Sequence, residues 1–417
     1  MFRVLYKQLL RHHIPTTEPP TTHPFNLYNV VLHHHHHPHR NPHLKSMSGI
    51  PESTSPRSFA VEYLINSCGL PPETAYSAAK KLYCLTSADK PDWVLSLLKK
   101  HGFTKTQIAR LISMDPMFLC PGPYTDLQPK LKYFFDMGVS HSEVADLIAS
   151  NPVILGWNLW KTNMPVFSFL KRYIGDSAAI LTIFKRWPEI VGCNLEVDVK
   201  PNIATFQDHG VPDCNIIKFF ISTPRTLGLP REDFNETIEV VKKIGIDPST
   251  PTFLSAFRAI ALTSKQNWAD KWTIWENKFT VFRNLGWSEN DILSMFKKNP
   301  GCMVGTQRRI RRGLVFFIEK YKWKPSEFLL HPWLLRLSLE KKIIPRCAVF
   351  EILKSKGIIG EELKVTSALK VSEKDFIEKY VTKYQEQVPE VKEAYKKGGD
   401  EFVGLESQDL EGDVEVV

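Results

Sequence analysis

Four arginines within five positions, Arg308, Arg309, Arg311 and Arg312, have the type and spacing that most directly imply chemistry. A guanidinium is a planar fork with a permanent charge, and its two parallel N–H donors match a phosphate. Lys297 and Lys298 precede this quartet, and Arg336, Lys341, Lys342 and Arg346 follow it. Residues 291–356 hold fifteen Lys and Arg against five acids, which alone accounts for the +9 of the whole chain and its pI near 9.0. A run of charge is ordinarily a solvated face. Here no acid lies among the four arginines, and none follows at helical spacing before Glu319. The expected chemistry is therefore phosphate contact along a polyanion, through these ten basic residues.

Other chemistries find little support. The chain has no G-x-S-x-G, no G-x-x-x-x-G-K-[ST] and no G-x-G-x-x-G, so nucleophile elbows and phosphate-cradling loops are absent from its motifs. His101, His141, His209 and His331 form no H-x-x-x-H or H-E-x-x-H pair, which argues against a metal site. Seven cysteines, an odd number with no C-x-x-C, read as reduced and mostly buried thiols. No cofactor is expected, and an all-α enzyme ranks last among the readings. The tryptophans at 157, 160, 187, 268, 272, 275, 287, 323 and 333 are expected in the core rather than stacked on bases.

The quartet needs an element to present it. Wound at 100° per residue, the four arginines span roughly 160°, and Ile310, Leu314, Phe317 and Ile318 gather on the other side. A helix burying that stripe turns the guanidiniums outward. The helix in turn belongs to a repeat. Prolines preceding short apolar runs recur at Pro116, Pro152, Pro188, Pro224, Pro300 and Pro332, with Arg258 standing where the missing proline belongs. A second beat is carried by Gly102, Gly138, Gly210, Gly245, Gly286 and Gly357, with no glycine expected near 174 and 323. Periods of this size mean stacked supersecondary units.

Each repeat reads as helices. Leu127, Leu131, Phe134 and Phe135 form one stripe, and Gly138 stops that helix. Ser140 and Glu143 then make a capping box, as do Thr104 with Gln107 and, more loosely, Ser288 with Asp291. Asn151 ends the second helix because proline excludes its neighbour from the α region, and Pro152 opens a short third helix.

The recurrent P-x-(I/L)-L-G pattern, the glycine before each capping box and the three-helix unit resemble the mitochondrial transcription termination factor (mTERF) family, of the plant organellar type. The resemblance covers about residues 59–385 in seven to eight repeats. It implies an all-α solenoid of three-helix repeats of about 32–42 residues, curved into a superhelix whose basic face binds organellar DNA or RNA. Transcription and RNA-processing proteins are further partners it allows. Members act in termination and also in RNA processing, splicing and ribosome biogenesis, so the step is left open. Pentatricopeptide repeats share the period but lack the proline-opened third helix, and rank below. A protein-binding scaffold without nucleic-acid contact is the alternative from another class; the acid-poor quartet weighs against it.

The flanks differ from the repeats. Residues 1–58 hold ten of fourteen His and eight of twenty-nine Pro, including the run His33–His37. Arg3, Lys7 and Arg11 share a helical face among apolar residues, and no acid occurs before Glu18. That pattern predicts a transit peptide, to the mitochondrion with the chloroplast as alternative. Residues 386–417 are expected to form an acidic, disordered tail. No uninterrupted stretch of eighteen apolar residues exists, so no membrane partner is expected, and the protein is expected to be monomeric.

Overall fold

Every regular element among the described residues of the computed structural model is a helix, whether α, 3₁₀ or a short π turn. The structure describes residues 56–82, 85–120, 127–136, 138–156, 164–262 and 271–397. The presequence, the His run, Trp157, Trp160 and Trp268 lie outside them. Contacts divide the chain into two compact halves, residues 1–193 and 194–417.

In the N-terminal half the three-helix repeat is read directly from the chain. Asp89–Lys100, Lys105–Met114 and Pro116–Leu119 form one repeat; Leu127–Asp136, His141–Ser150 and Val153–Gly156 form the next; Met164–Tyr173, Ser177–Arg186 and Pro188–Gly192 form a third. Second helices of successive repeats pack side by side. The C-terminal half repeats the scheme. Its second helices, Asp213–Ser222, Pro251–Ala261, Glu289–Lys298 and Pro325–Leu330, again stack in order, and the short helix Pro300–Met303 lies against its successor Pro332–Arg336.

The expected punctuation is in place. Thr104, Ser140 and Ser288 each accept from the third backbone N–H of their helices, and Gln107, Glu143 and Asp291 return the bond. Each such cap is worth about 1 kcal/mol. Second helices end at Asp115, Asn151, Trp187, Thr223 and Asn299, each directly before its proline.

Four expectations are corrected. Arg258 is not a repeat boundary: it lies inside Pro251–Ala261, whose C-cap is Leu262. The helix enters at Pro251, later than its equivalents, so nothing ends it at 258. The turn near 174 does use a glycine, Gly175 at φ +78°, and Lys322 fills the other gap at φ +55°. Cys120 is disulfide-bonded, whereas Cys68, Cys193, Cys214, Cys302 and Cys347 are thiols. Disulfides join residues by tertiary proximity, which spacing along the chain does not carry. Finally, the fold runs past residue 385. The helix Glu390–Lys397 packs on Ile344–Ser355, with Val388 and Val391 in the core. Val388 just before the helix, Val391 within it and Tyr395 stacked on Phe376 suffice to seat a short helix whose remaining residues are mostly charged.

Apolar side chains fill the space between helices. Phe206, Phe219, Phe234 and Phe257, one from each of four consecutive long helices, meet with ring centroids 4.6–6.0 Å apart. Each buried ring contributes about 2–3 kcal/mol.

The core also holds a polar series. Lys130 Nζ donates to the carbonyl of Leu155 at 2.6 Å, Asn202 Nδ2 to Leu227 at 2.9 Å, Lys278 Nζ to Met303 at 2.8 Å and Arg346 Nη1 to Val371 at 2.8 Å. Each donor sits on a first helix and reaches a carbonyl 25 residues ahead, for the first three at the short third helix. All four are buried. In the intervening repeats the equivalent places hold Val94, Val166, Ile238 and Ile310, also buried. The array thus alternates between repeats clasped by a buried donor and repeats closed by apolar packing.

Candidate nucleic-acid interface

Where second helices run out into their proline turns, the C-terminal half forms a groove of about 550 Å³. Lys218, Arg258 and Lys298 reach it from three successive second helices, and Arg336 from the end of the short helix Pro332–Arg336. Ser222, Thr252, Ser255 and Asn299 add hydroxyl and amide groups, and none of the described lining residues carries a carboxylate. Helix C-termini suit Lys298 and Arg336, because the last carbonyls carry partial negative charge.

Glycine makes room for one of these cations. A Cβ on Gly301 would stand 2.6 Å from Arg336 Cδ, so the arginine lies directly on the backbone of the neighbouring short helix. Asn299 fixes that backbone by accepting from Gly301 N–H at 3.1 Å. Arg309 completes the arrangement, its Nη2 donating to the Arg336 carbonyl at 2.6 Å.

The basic surroundings extend beyond the groove. Burial lowers the His331 imidazole below its ordinary value, and Lys364, Lys298 and Lys370 push it further down. His331 is thus neutral at pH 7 and flanked by cations.

The structure sorts the ten expected residues. Lys298 and Arg336 line the groove, and Arg309 is bonded to it. Lys297 is exposed, but its Nζ would touch a Cβ on Gly245 at 3.4 Å, and it does not line the groove. Arg308 and Arg311 are exposed on the helix Gln307–Tyr321, which buries Ile310, Leu314 and Phe317 as expected, with Ile318 half-buried. Arg312 pairs with Glu340 at 2.7 Å. Lys341 is exposed, while Lys342 is half-buried and its ammonium is lowered by burial and by Arg346.

Arg346 is a correction. Its side chain is fully buried, donating to the carbonyls of Ala368, Val371 and Ser372 and to Glu373 at 2.7 Å, with the guanidinium 4.5 Å from the Phe376 ring centroid. An arginine with its donors committed inward has no surface to offer a ligand. Lys218 and Arg258 are the groove residues that sequence reasoning missed. The signal available was register: Arg258 lies in the last turn of its second helix, as Lys298 does, and Lys218 lies about one turn earlier in its own.

The tryptophans follow the expectation in part. Trp187, Trp275 and Trp287 are buried, and Trp272, Trp323 and Trp333 are half-buried. Among the described residues no group of three or more His, Cys, Asp or Glu is placed to hold a metal ion, and no helix is long and apolar enough to cross a membrane.

The stacked three-helix repeat with its proline-opened short helix agrees with sequence comparison. The mTERF family profile matches residues 95–250 and 215–377. The chain belongs to the mTERF family. Among its mTERF relatives in Arabidopsis thaliana is "Transcription termination factor MTERF8, chloroplastic", 23% identical over 315 residues, which cover 74% of this chain and 59% of the relative. "Transcription termination factor MTERF15, mitochondrial" is 22% identical over 300 residues, covering 70% of this chain and 63% of the relative. The mTERF chain described here therefore spans less than two thirds of the length of either relative.

Proposed function

We propose that this mTERF protein binds organellar nucleic acid through the groove and regulates organelle gene expression, in transcription termination or regulation or in RNA processing. The observation that carries the reading is the groove itself: four cations drawn from consecutive repeats, with no carboxylate among its described lining residues. Such a line follows a phosphate backbone, since successive repeats advance its charges along the ligand. The relatives' names support both the process and an organellar site of action, one chloroplastic and one mitochondrial. The basic presequence favours the mitochondrion. The protein acts as a binder rather than an enzyme, with protein partners of the transcription or RNA-processing machinery.

The test is a titration at several salt concentrations with mixed-sequence duplex DNA and mixed-sequence single-stranded RNA. Replacing Lys298 and Arg336 together by Ala should flatten the slope of log K against log salt by roughly 1.4 for the single strand or 1.8 for the duplex. The polymer that wild type binds more tightly at the same salt concentration identifies the ligand. Absence of wild-type binding to both would move the scaffold reading to the front, and equal slopes for wild type and variant would take the groove out of the interface.

A further inference from the structure

One clasp of the buried polar series lies directly beneath the groove. Lys278 Nζ holds the carbonyl of Met303, the last residue of the short helix Pro300–Met303. The start of that same helix, with Asn299 before it, forms the groove wall on which Arg336 lies and beside which Lys298 emerges. We infer that Lys278 is a positioning residue of the groove, and that nucleic-acid affinity follows its protonation. The inference rests on the reading of the groove given above.

The array does not need a cation at this place in order to stack. Val94, Val166, Ile238 and Ile310 fill the equivalent positions with no donor. A lysine that is only 4% exposed therefore does something that valine or isoleucine does not. It fixes a main-chain carbonyl by a charged donor, which is stronger than a neutral one. The charge is also adjustable. Burial pushes the Lys278 ammonium down to about 8, and the Cys302 thiol opposes this only weakly. Cys302 is itself pushed up to about 12 by burial and stays neutral. The Trp275 ring lies 5.8 Å from Nζ. Of the charges on the helices packed against Lys278, Arg283 is engaged with Glu276 and Glu289, Asp291 in its capping box, Arg309 with the Arg336 carbonyl, Arg312 with Glu340 and Lys320 with Glu351. Lys297, Lys298, Arg308, Arg311 and Glu319 are exposed.

Two opposite pH trends follow. The folded value lies below the ordinary 10.5, so the unfolded chain binds more protons between about pH 8 and 10.5. Stability therefore rises with pH across that window. Affinity moves the other way, because the neutral amine clasps Met303 less firmly and the wall loosens.

The experiment measures affinity for the polymer that wild type binds, at about pH 7 and about pH 9.5, for wild type, Lys278→Arg and Lys278→Met. Wild-type affinity should fall about fivefold over that range, the difference between a charged and a neutral donor. Lys278→Arg keeps its charge and should bind like wild type at the lower pH, with a flat profile. Lys278→Met should be flat and about fivefold weaker at the lower pH. Should Lys278→Met fail to fold, the flat profile of Lys278→Arg decides alone. The same decline in all folded proteins would overturn the inference, as would wild-type affinity in Lys278→Met. Failure of wild type to bind at all would instead strike the functional reading.

Discussion

The helix Gln307–Tyr321 carries four arginines and the groove along the second helices four basic residues, but the two regions handle their charge differently. On the helix, one arginine is in an ion pair with Glu340 of the next repeat and another is bonded to the Arg336 carbonyl. In the groove, Lys218, Arg258, Lys298 and Arg336 come from elements far apart in sequence and converge where no described lining residue is acidic. Local density of arginine invites partners from the neighbouring repeat. Register, by contrast, gathers scattered cations into one line whose described lining holds no carboxylate.

Arg346 breaks the comparison most sharply, because it belongs to neither region despite its place in the basic run. Replacing it with Met should cost about 2–4 kcal/mol, since three buried or half-buried carbonyls lose their donor, while Glu373, with 58% of its side chain accessible, turns to water. Burial works against the Glu373 charge, and bonds from Tyr395 and Arg346 more than offset it, lowering that carboxyl. Denaturant unfolding of the variant checks the size of the loss. Nucleic-acid affinity, measured where the variant is still folded, should match wild type. A stable variant with weak binding would return Arg346 to the interface.

This contrast shows what was legible in the residues and what was not. Capping boxes at Thr104, Ser140 and Ser288, and the five helix stops directly before prolines, are local devices whose partners lie within four positions. They were readable for that reason, and the stripe of Ile310, Leu314 and Phe317 likewise. The partners of Arg346 lie 22–27 residues ahead, and Glu340 lies 28 residues beyond Arg312. Nothing local distinguishes such an arginine from an exposed one. Arg258 was misplaced because its repeat starts late, and the groove was only half visible because two of its cations stand alone in sequence.

A smaller effect is expected at the end of the arginine helix. Lys322 adopts φ +55° and ψ +34°, the left-handed turn that glycine supplies in the other repeats. A side chain there costs roughly 1–2 kcal/mol, part of which the greater freedom of unfolded glycine takes back. Lys322→Gly should therefore stabilise by about 0.5–1 kcal/mol. Thermal melts check the sign. A melt unchanged or lowered would mean that the lysine makes a contact worth as much as the strain, and that charge in this region is held for stability.

The smallest effect bears directly on the two regions. If pairing with Glu340 occupies Arg312, removing this arginine should change the salt slope by less than the roughly 0.9 expected for one duplex phosphate contact, or 0.7 for a single strand. The pair is partly exposed, with 35% of the Arg312 side chain and 46% of Glu340 accessible, so its loss should cost stability no more than about 0.5 kcal/mol. Glu340→Gln is the informative companion. It releases the guanidinium without removing it, so affinity should rise slightly at low salt and the slope should steepen, while Lys298→Ala moves both quantities down. Should Arg312→Ala flatten the slope as much as Lys298→Ala does, the ion pair opens when nucleic acid binds. The arginine helix would then extend the groove rather than stand apart from it, and Glu340 would act as a competitor that the phosphate displaces.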